Sequence, residues 1–84
     1  MHPDAIGLDR TALALLETLA LRPVGSRVSY TDVEHELRCV WGVPIRLAAF
    51  GLLSKRGMIE CSVLGARETA YSVTAHGRIV ADTL

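Results

Sequence analysis

In the last third of the chain, residues that end helices and form turns separate short apolar runs. Gly57 follows a helical apolar pattern, Gly65 lies between two alternating runs, and Thr74 precedes a final short apolar pattern. Glycine just after a helix and threonine just before one are typical end and start signals. Alternation on both sides of a glycine-containing turn is typical of a β-hairpin. The pattern therefore predicts a helix, a hairpin over 58–73 and a capped final helix.

Composition limits the class of protein. The chain has 84 residues, half of them apolar, which is enough for one small hydrophobic core and too apolar for a disordered chain. We expect residues 1–8 to form a flexible leader and residues 9–84 to form a single domain. The start does not have the pattern of a secretory signal, and no apolar run approaches the roughly 20 residues that span a bilayer. A cytoplasmic protein without membrane contact is expected.

The charge balance bears on possible partners. The formal net charge is zero, whereas nucleic-acid-binding proteins usually depend on a basic surface. Every basic residue except Lys55 is arginine, so local patches can matter more than the sum. Cys39 and Cys61 are expected to be buried free thiols. His35 lies four residues before Cys39, a spacing that can share a metal, but without a suitable third ligand no metal site is predicted.

Two helices are predicted upstream of the hairpin helix. The first follows Asp9 as N-cap and runs to about Leu21 with a wide apolar stripe; Leu15 and Leu21 lie off that stripe and indicate a second covered face. Residues 26–30 can add a short third strand. A second helix, capped by Ser29 or by Thr31, then ends near Trp41, which is predicted to fill the corner as part of the core. Its predicted core positions are Val33, Leu37 and Val40.

The third helix is predicted from about Pro44 to Arg56, because proline suits a first helical turn and Gly57 suits the C′ position. If Leu47, Phe50 and Leu53 face the core, the outer surface carries Arg46, Ala48, Ala49, Leu52 and Lys55. Gly51 in mid-helix costs roughly 1 kcal/mol relative to alanine, which indicates a close backbone approach to a neighbour. The last helix is predicted from Ala75 to about Asp82, with Ile79 and Val80 facing inward.

Two stretches resemble winged helix-turn-helix regulators of the PadR and MarR kind. They are Leu53-Ser54-Lys55-Arg56-Gly57-Met58-Ile59-Glu60 and Ala70-Tyr71-Ser72-Val73-Thr74-Ala75-His76-Gly77-Arg78. They are similar to the Gly-Leu-Ile-Glu end of the recognition helix and to the Tyr-x-Leu-Thr-x-x-Gly-Arg end of the wing in those families. The resemblance covers about residues 9–84 and implies an α+β, mainly α, fold with a three-helix core, a β-hairpin wing and a C-terminal helix.

The resemblance also implies that the third helix lies in the major groove of double-stranded DNA and that the wing reaches the backbone or the minor groove. Arg46 is the best candidate for a base edge, because arginine pairs with guanine through two hydrogen bonds. Hydroxyl groups at the start of the second helix can contact a phosphate. The predicted DNA-binding residues are Arg27, Ser29, Thr31, Arg46, Ala49, Lys55, Arg56 and Arg67.

Two hypotheses follow for function. The first is a small DNA-binding transcription regulator that forms a homodimer through its first or last helix, because the first helix is apolar on more than one face. The alternative is a winged helix adaptor that binds another protein, favoured by the zero net charge and by the alanine- and leucine-rich third helix. The chain carries no catalytic constellation and no phosphate-binding glycine loop, so neither an enzyme nor a cofactor is predicted.

Overall fold

A computed structural model describes residues 2–66 and 68–84. Its four helices are α1 (Arg10–Ala20), α2 (Tyr30–Glu36), α3 (Leu47–Lys55) and α4 (Ala75–Ala81), and its three strands are β1 (Val28–Ser29), β2 (Ile59–Gly65) and β3 (Glu68–Val73). A 3-10 turn, Pro3–Ala5, precedes α1, and a π-helical segment, Leu37–Trp41, follows α2 directly. No helix in the two described ranges combines the length and apolar character needed to cross a bilayer.

Helix α1 forms the centre of the core. Asp9 caps it as predicted, with Oδ1 accepting a hydrogen bond of 2.8 Å from the backbone N–H of Ala12. Leu16 and Leu19 of the predicted apolar stripe are fully buried, and so is Leu15, which was predicted to lie off the stripe on a second covered face. Burying one leucine side chain stabilises a fold by about 1.5–3 kcal/mol, so this helix contributes much of the core energy. Leu21, just beyond α1, is instead 76% exposed.

The second helical segment changes geometry halfway. Ser29 caps α2 by accepting a hydrogen bond of 3.2 Å from the N–H of Asp32, so the cap is not Thr31. Val33 and Leu37 are buried as predicted, but Val40 is 69% exposed, so its predicted core position is wrong. A π-helical turn holds an extra residue and rotates the side chains that follow it. The rotation turns Val40 outward.

Helix α3 begins later than predicted. Pro44 does not lie in its first turn, because the chain is extended at Arg46, the N-cap, and helical only from Leu47. A residue before proline is biased toward extended backbone, and the more buried Val43 and Ile45 alternate with the exposed Pro44 and Arg46. Residues 43–46 therefore follow the two-residue period of a strand before the helix starts.

The end of α3 agrees with the sequence pattern. Gly57 has the left-handed backbone conformation, φ 73°, and donates its N–H to the Ser54 carbonyl oxygen at 3.0 Å. Met58 donates to the Leu53 carbonyl oxygen at 2.9 Å, and both side chains are fully buried. This pair of hydrogen bonds with its apolar contact is the Schellman motif, which directs the chain from α3 into β2.

The predicted hairpin and the short third strand are both confirmed. The antiparallel sheet has the order β1-β3-β2, with Val28 opposite Tyr71 and Ile59 opposite Val73. The register of β2 and β3 is irregular between Val63 and Gly65, next to the turn. Strand β2 buries little beyond Ile59, so its other side chains face solvent.

The exposure of the two cysteines corrects the sequence prediction. Cys39 and Cys61 are free thiols, as predicted, but both are exposed. Cys61 lies in the largely solvated strand β2, and Cys39 lies in the π-helical segment whose rotation also exposes Val40. Position within a regular element was therefore a poor guide to burial at these two residues.

The two stretches that carry the family resemblance meet at the start of α4. The Thr74 hydroxyl caps α4 by accepting from the N–H of Gly77 at 3.0 Å, and it donates to the Gly57 carbonyl oxygen at 2.6 Å. Val80 is fully buried as predicted, but Ile79 is 57% exposed, so its inward orientation was wrong. Gly77 and Val80, three residues apart, form the buried face of this helix, and Ile79 lies off it.

Residues 2–8, predicted as a flexible leader, pack on the domain. Ala5 and Leu8 are buried, and the Arg56 guanidinium donates to the carbonyl oxygens of Asp4 at 2.8 Å and Ile6 at 3.0 Å. The backbone N–H of His2 donates to the Thr83 hydroxyl at 3.1 Å. The segment thus contacts both Arg56 at the end of α3 and Thr83 after α4.

Candidate nucleic-acid interface

The exposed side of α3 is smooth and mostly apolar. Leu47, Ala48, Gly51, Ser54 and Lys55 line it, and we call these five residues the α3 face. Leu47, predicted to be core, is 71% exposed. A Cβ added at Gly51 would meet no described atom within 4 Å, so the predicted close approach of a neighbour to Gly51 is wrong. The α3 face is therefore open to a partner along its whole length.

Arg46 lies at the N-terminal end of the α3 face. Its guanidinium is 3.4 Å from Asp9 Oδ2, and both side chains are more than half exposed. Exposed ion pairs of this kind contribute at most about 1 kcal/mol, because water screens the charges and both side chains lose freedom. The guanidinium can therefore leave Asp9 for a phosphate or a base edge at little cost.

An aromatic cluster fixes α3 against the sheet. Phe50 of α3 packs between Tyr30 and Tyr71, with ring centroids 5.7 Å and 4.4 Å away. Burial, and then the neighbouring Cys61 and Tyr30, raise the pKa of the Tyr71 phenol above its ordinary value. Since Tyr71 belongs to β3, this cluster sets the angle between the recognition-helix candidate and the hairpin.

The hairpin projects beyond the core. Val63, Leu64 and Ala66 near its turn are exposed, and Val63 reaches 79% exposure. Arg67, the predicted contact at the tip, lies outside the described residues. The described part of the tip is therefore apolar, with the charge of Glu68 at the start of β3.

A shallow groove separates the start of α2 from the hairpin. Its volume is about 360 Å³, and it is lined by Ser29, Tyr30, Thr31, Glu68 and Thr69. The Ser29 hydroxyl already accepts the capping hydrogen bond, whereas the side chain of Thr31 is exposed. Arg27, also exposed, precedes β1 at one end of this region. The groove brings two predicted phosphate-contacting hydroxyls together but adds the acidic Glu68.

Two of the predicted DNA-binding residues are buried or are held by contacts within the chain. Ala49 is only 5% exposed and packs in the core, because α3 turns Leu47 outward in its place. Arg56 is half-buried and uses its guanidinium on the backbone of residues 4 and 6. Arg46 and Lys55 remain exposed at opposite ends of the α3 face.

Comparison with solved structures identifies the architecture. The chain superposes on the complex structure of hsRosR-S1 with a TM-score of 0.79 and 20% identity, covering 95% of this chain and 71% of that one. The complex structure of hsRosR-S4 gives a TM-score of 0.74 and 21% identity over the same shares. The fold is a winged helix. No family profile matches the sequence, and no curated protein sequence matches it.

In winged-helix terms, β2 and β3 form the wing and α3 occupies the position of the recognition helix. The sequence analysis missed Leu47 as an exposed residue of that helix. The signal was the alternation of residues 43–46, which places the helix start at Leu47 and shifts the first inward-facing position to Ala49.

Proposed function

We propose that this protein is a DNA-binding transcription regulator that inserts α3 into the major groove and lays its wing on the phosphate backbone. Support comes from the winged-helix architecture and from hsRosR, the structural neighbour, which is a winged-helix transcription regulator of a halophilic archaeon. The PadR or MarR type of regulator stays a hypothesis based on sequence resemblance.

The α3 face is the observation that carries the proposal. Ala48 and Gly51 have side chains too small to hold the helix away from base edges, and apolar side chains can contact the methyl group of thymine. Arg46 and Lys55 at the two ends of this face supply positive charge for flanking phosphates. Arg27 and Thr31 would add backbone contacts beside α3, as would Arg67 at the wing.

We also propose that the protein acts as a homodimer. Along α1, two shallow grooves of about 220 and 440 Å³ share Glu17 and Trp41, and Leu21 beside them is strongly exposed. Burying such surface against its own copy removes apolar area from water. The molecule measures 37 × 25 × 21 Å, dimensions of the same order as the roughly 34 Å between DNA half-sites one helical turn apart.

Salt-dependent binding to duplex DNA tests the proposal. Fluorescence anisotropy with a random duplex and with enriched sites from a selection experiment would give affinity between about 50 and 200 mM salt. We expect a steep decrease in affinity, with Lys55→Ala and Arg46→Ala each reducing the slope by about one because each removes one phosphate contact.

Arg78→Ala is the matched control for these variants. It removes the same charge from α4, where the guanidinium donates to the Arg22 carbonyl oxygen, and α4 packs on α1 and β3. Affinity and salt slope should stay at wild-type values in this control. Equal effects of all three substitutions, or salt-independent binding, would contradict an α3-centred interface.

A second candidate function is a winged-helix adaptor that binds a protein through the same α3 face. The high exposure of Leu47 favours it, because a large apolar residue on a recognition helix also suits a protein partner. Leu47→Glu would weaken either kind of binding, so the two functions are separated by the anisotropy measurement on wild-type protein. An adaptor would show no DNA affinity above nonspecific levels in the wild-type protein.

A further inference from the structure

Three side chains distant in sequence meet at the junction of the N-terminal segment and α4. His76 Nε2 lies 2.6 Å from Asp4 Oδ2, and the rings of His2 and His76 meet edge to face with centroids 5.4 Å apart. His2 Nδ1 also accepts the backbone N–H of Asp4 at 3.1 Å. One nitrogen or oxygen from each residue lies within 4.8 Å of the corresponding atoms of the other two.

This set has the chemistry of a metal site. Two imidazoles and one carboxylate are a common ligand combination for zinc and for other divalent transition metals. His2 Nδ1 accepts the backbone N–H of Asp4 with its lone pair, so a metal bound at Nδ1 would replace that hydrogen bond, and it would also replace the proton shared by His76 Nε2 and Asp4 Oδ2. The side chains of Asp4 and His76 are about two-fifths exposed, so an ion can reach them from solvent.

The distances are also close to those of a bound state. Ligand atoms 2.0–2.2 Å from a tetrahedral ion lie about 3.3 Å from one another. The closest pair, His76 Nε2 and Asp4 Oδ2 at 2.6 Å, would open slightly, and no pair would have to close by more than about 1.5 Å, because all three atoms lie within 4.8 Å of one another.

We propose that His2, Asp4 and His76 bind one divalent transition-metal ion of the zinc type, with water completing the coordination. Asp4 belongs to the segment that holds the Arg56 guanidinium, and His76 belongs to α4. A bound ion would therefore fasten residues 2–6, the end of α3 and α4 to one another. No sequence pattern marks this site, because Asp4 and His76 are separated by 72 positions.

Calorimetric titration of Zn²⁺ into protein without an affinity tag tests the proposal. We expect one ion per chain, with His76→Gln and Asp4→Asn each weakening binding by more than roughly tenfold, because even residues outside the ligand set contribute that much at metal sites. At zinc concentrations near 100 times the dissociation constant, the melting temperature should rise by on the order of 10 °C.

His35→Gln with Cys39→Ser is the control, because these exposed residues are 3.7 Å apart through Nε2 and Sγ and form the other candidate ligand pair. Unchanged binding in this double variant supports the proposal. A measurement on the unmodified protein guards against variants that unfold: Co²⁺ should broaden the imidazole NMR signals of His2 and His76 and leave those of His35 sharp. No saturable binding, or binding lost only in the control, overturns the proposal.

Discussion

At position 77 the fold has room for a hydrogen atom but not for a methyl group. A Cβ on Gly77 would lie 2.0 Å from the Met58 carbonyl oxygen, a backbone atom that also accepts the N–H of Thr74 at 3.1 Å. The clash cannot be relieved by rotating a side chain. Gly77→Ala should therefore destabilise the protein by about 3 kcal/mol, measured as the free energy of unfolding in urea.

Gly51→Ala is the matched substitution on the other helix. Gly51 is exposed in mid-helix with open space around its Cα, so alanine should stabilise the fold by roughly 0.5–1 kcal/mol through a less flexible unfolded chain. Similar stability of the Gly77→Ala variant and the wild type would show that α4 moves easily away from Met58, contrary to the close contact at Gly77.

Tyr71 gives the protein a sensitivity to alkaline pH. Burial, then Cys61 and Tyr30, raise the pKa of this phenol in the folded state above that of the unfolded chain, near 10. Below pH 10 both states keep the proton, so the stability contribution is fully present. As pH rises through 10 the unfolded state ionises first, and the free energy of unfolding decreases.

The measurement is urea unfolding at several pH values between 8 and 11. Tyr71→Phe should remove part of the alkaline decrease because its ring cannot ionise. Cys61→Ser is the control for the neighbouring thiol and should remove less, since burial is the larger cause. An identical alkaline decrease in the wild type and Tyr71→Phe would contradict this assignment.

At the scale of single elements, Trp41 attaches the π-helical segment to α1. Its Nε1–H donates to the Thr18 hydroxyl at 2.8 Å, and Thr18 is fully buried. Trp41→Phe removes the donor and leaves that hydroxyl with one partner fewer, so we expect the free energy of unfolding to decrease by about 1–3 kcal/mol.

A double-mutant cycle isolates this bond from the change in ring size. Thr18→Val in the Trp41→Phe background removes both polar partners, and removing both is far less costly than removing one. The free energy of unfolding in urea should therefore decrease less in the double variant than the decreases in Trp41→Phe and Thr18→Val add up to. Additive losses would mean that packing, and not the hydrogen bond, holds the segment.

Elements marked by local signals were predictable from the sequence. Asp9, Gly57 and Thr74 each act within a few residues of their own position, so the ends they mark were correctly placed. The π-helical turn was not predictable, because it satisfies a tertiary contact between Trp41 and α1 and leaves no local pattern. That one turn accounts for the wrong orientation of Val40.

At the scale of the whole molecule, the fold was easier to predict than the site. Order and type of the elements follow from local capping and alternation, whereas the exposed face of α3 depends on where the helix begins. Phe50 and Leu53 face the core as predicted, but Leu47 and Ala49 exchange places between solvent and core because α3 begins at Leu47 and not at Pro44. Ligand sets such as His2, Asp4 and His76 depend on the whole fold.

The dimer proposal leads to the last prediction. Leu21 is exposed beside α1 in the monomer and belongs to the surface that we assign to self-association. Leu21→Glu places a charge where apolar surface would be buried, and an unpaired buried charge is strongly unfavourable. We expect sedimentation equilibrium to show a monomer. At a protein concentration low enough for the wild type to be monomeric as well, the free energy of unfolding in urea should lie within about 0.5 kcal/mol of wild type, because Leu21 is exposed in each copy.

Leu47→Glu is the matched control, since Leu47 is similarly exposed but lies on the α3 face. It should leave the dimer intact and weaken DNA binding directly by placing a negative charge against the phosphates. Leu21→Glu should weaken DNA binding only through the loss of the second half-site, so its affinity for a single half-site should stay at the wild-type value. A monomeric wild-type protein would contradict the dimer proposal, and a Leu21→Glu variant that still dimerises would place self-association on another surface. The α3 interface is tested separately, by the effect of Leu47→Glu on DNA binding.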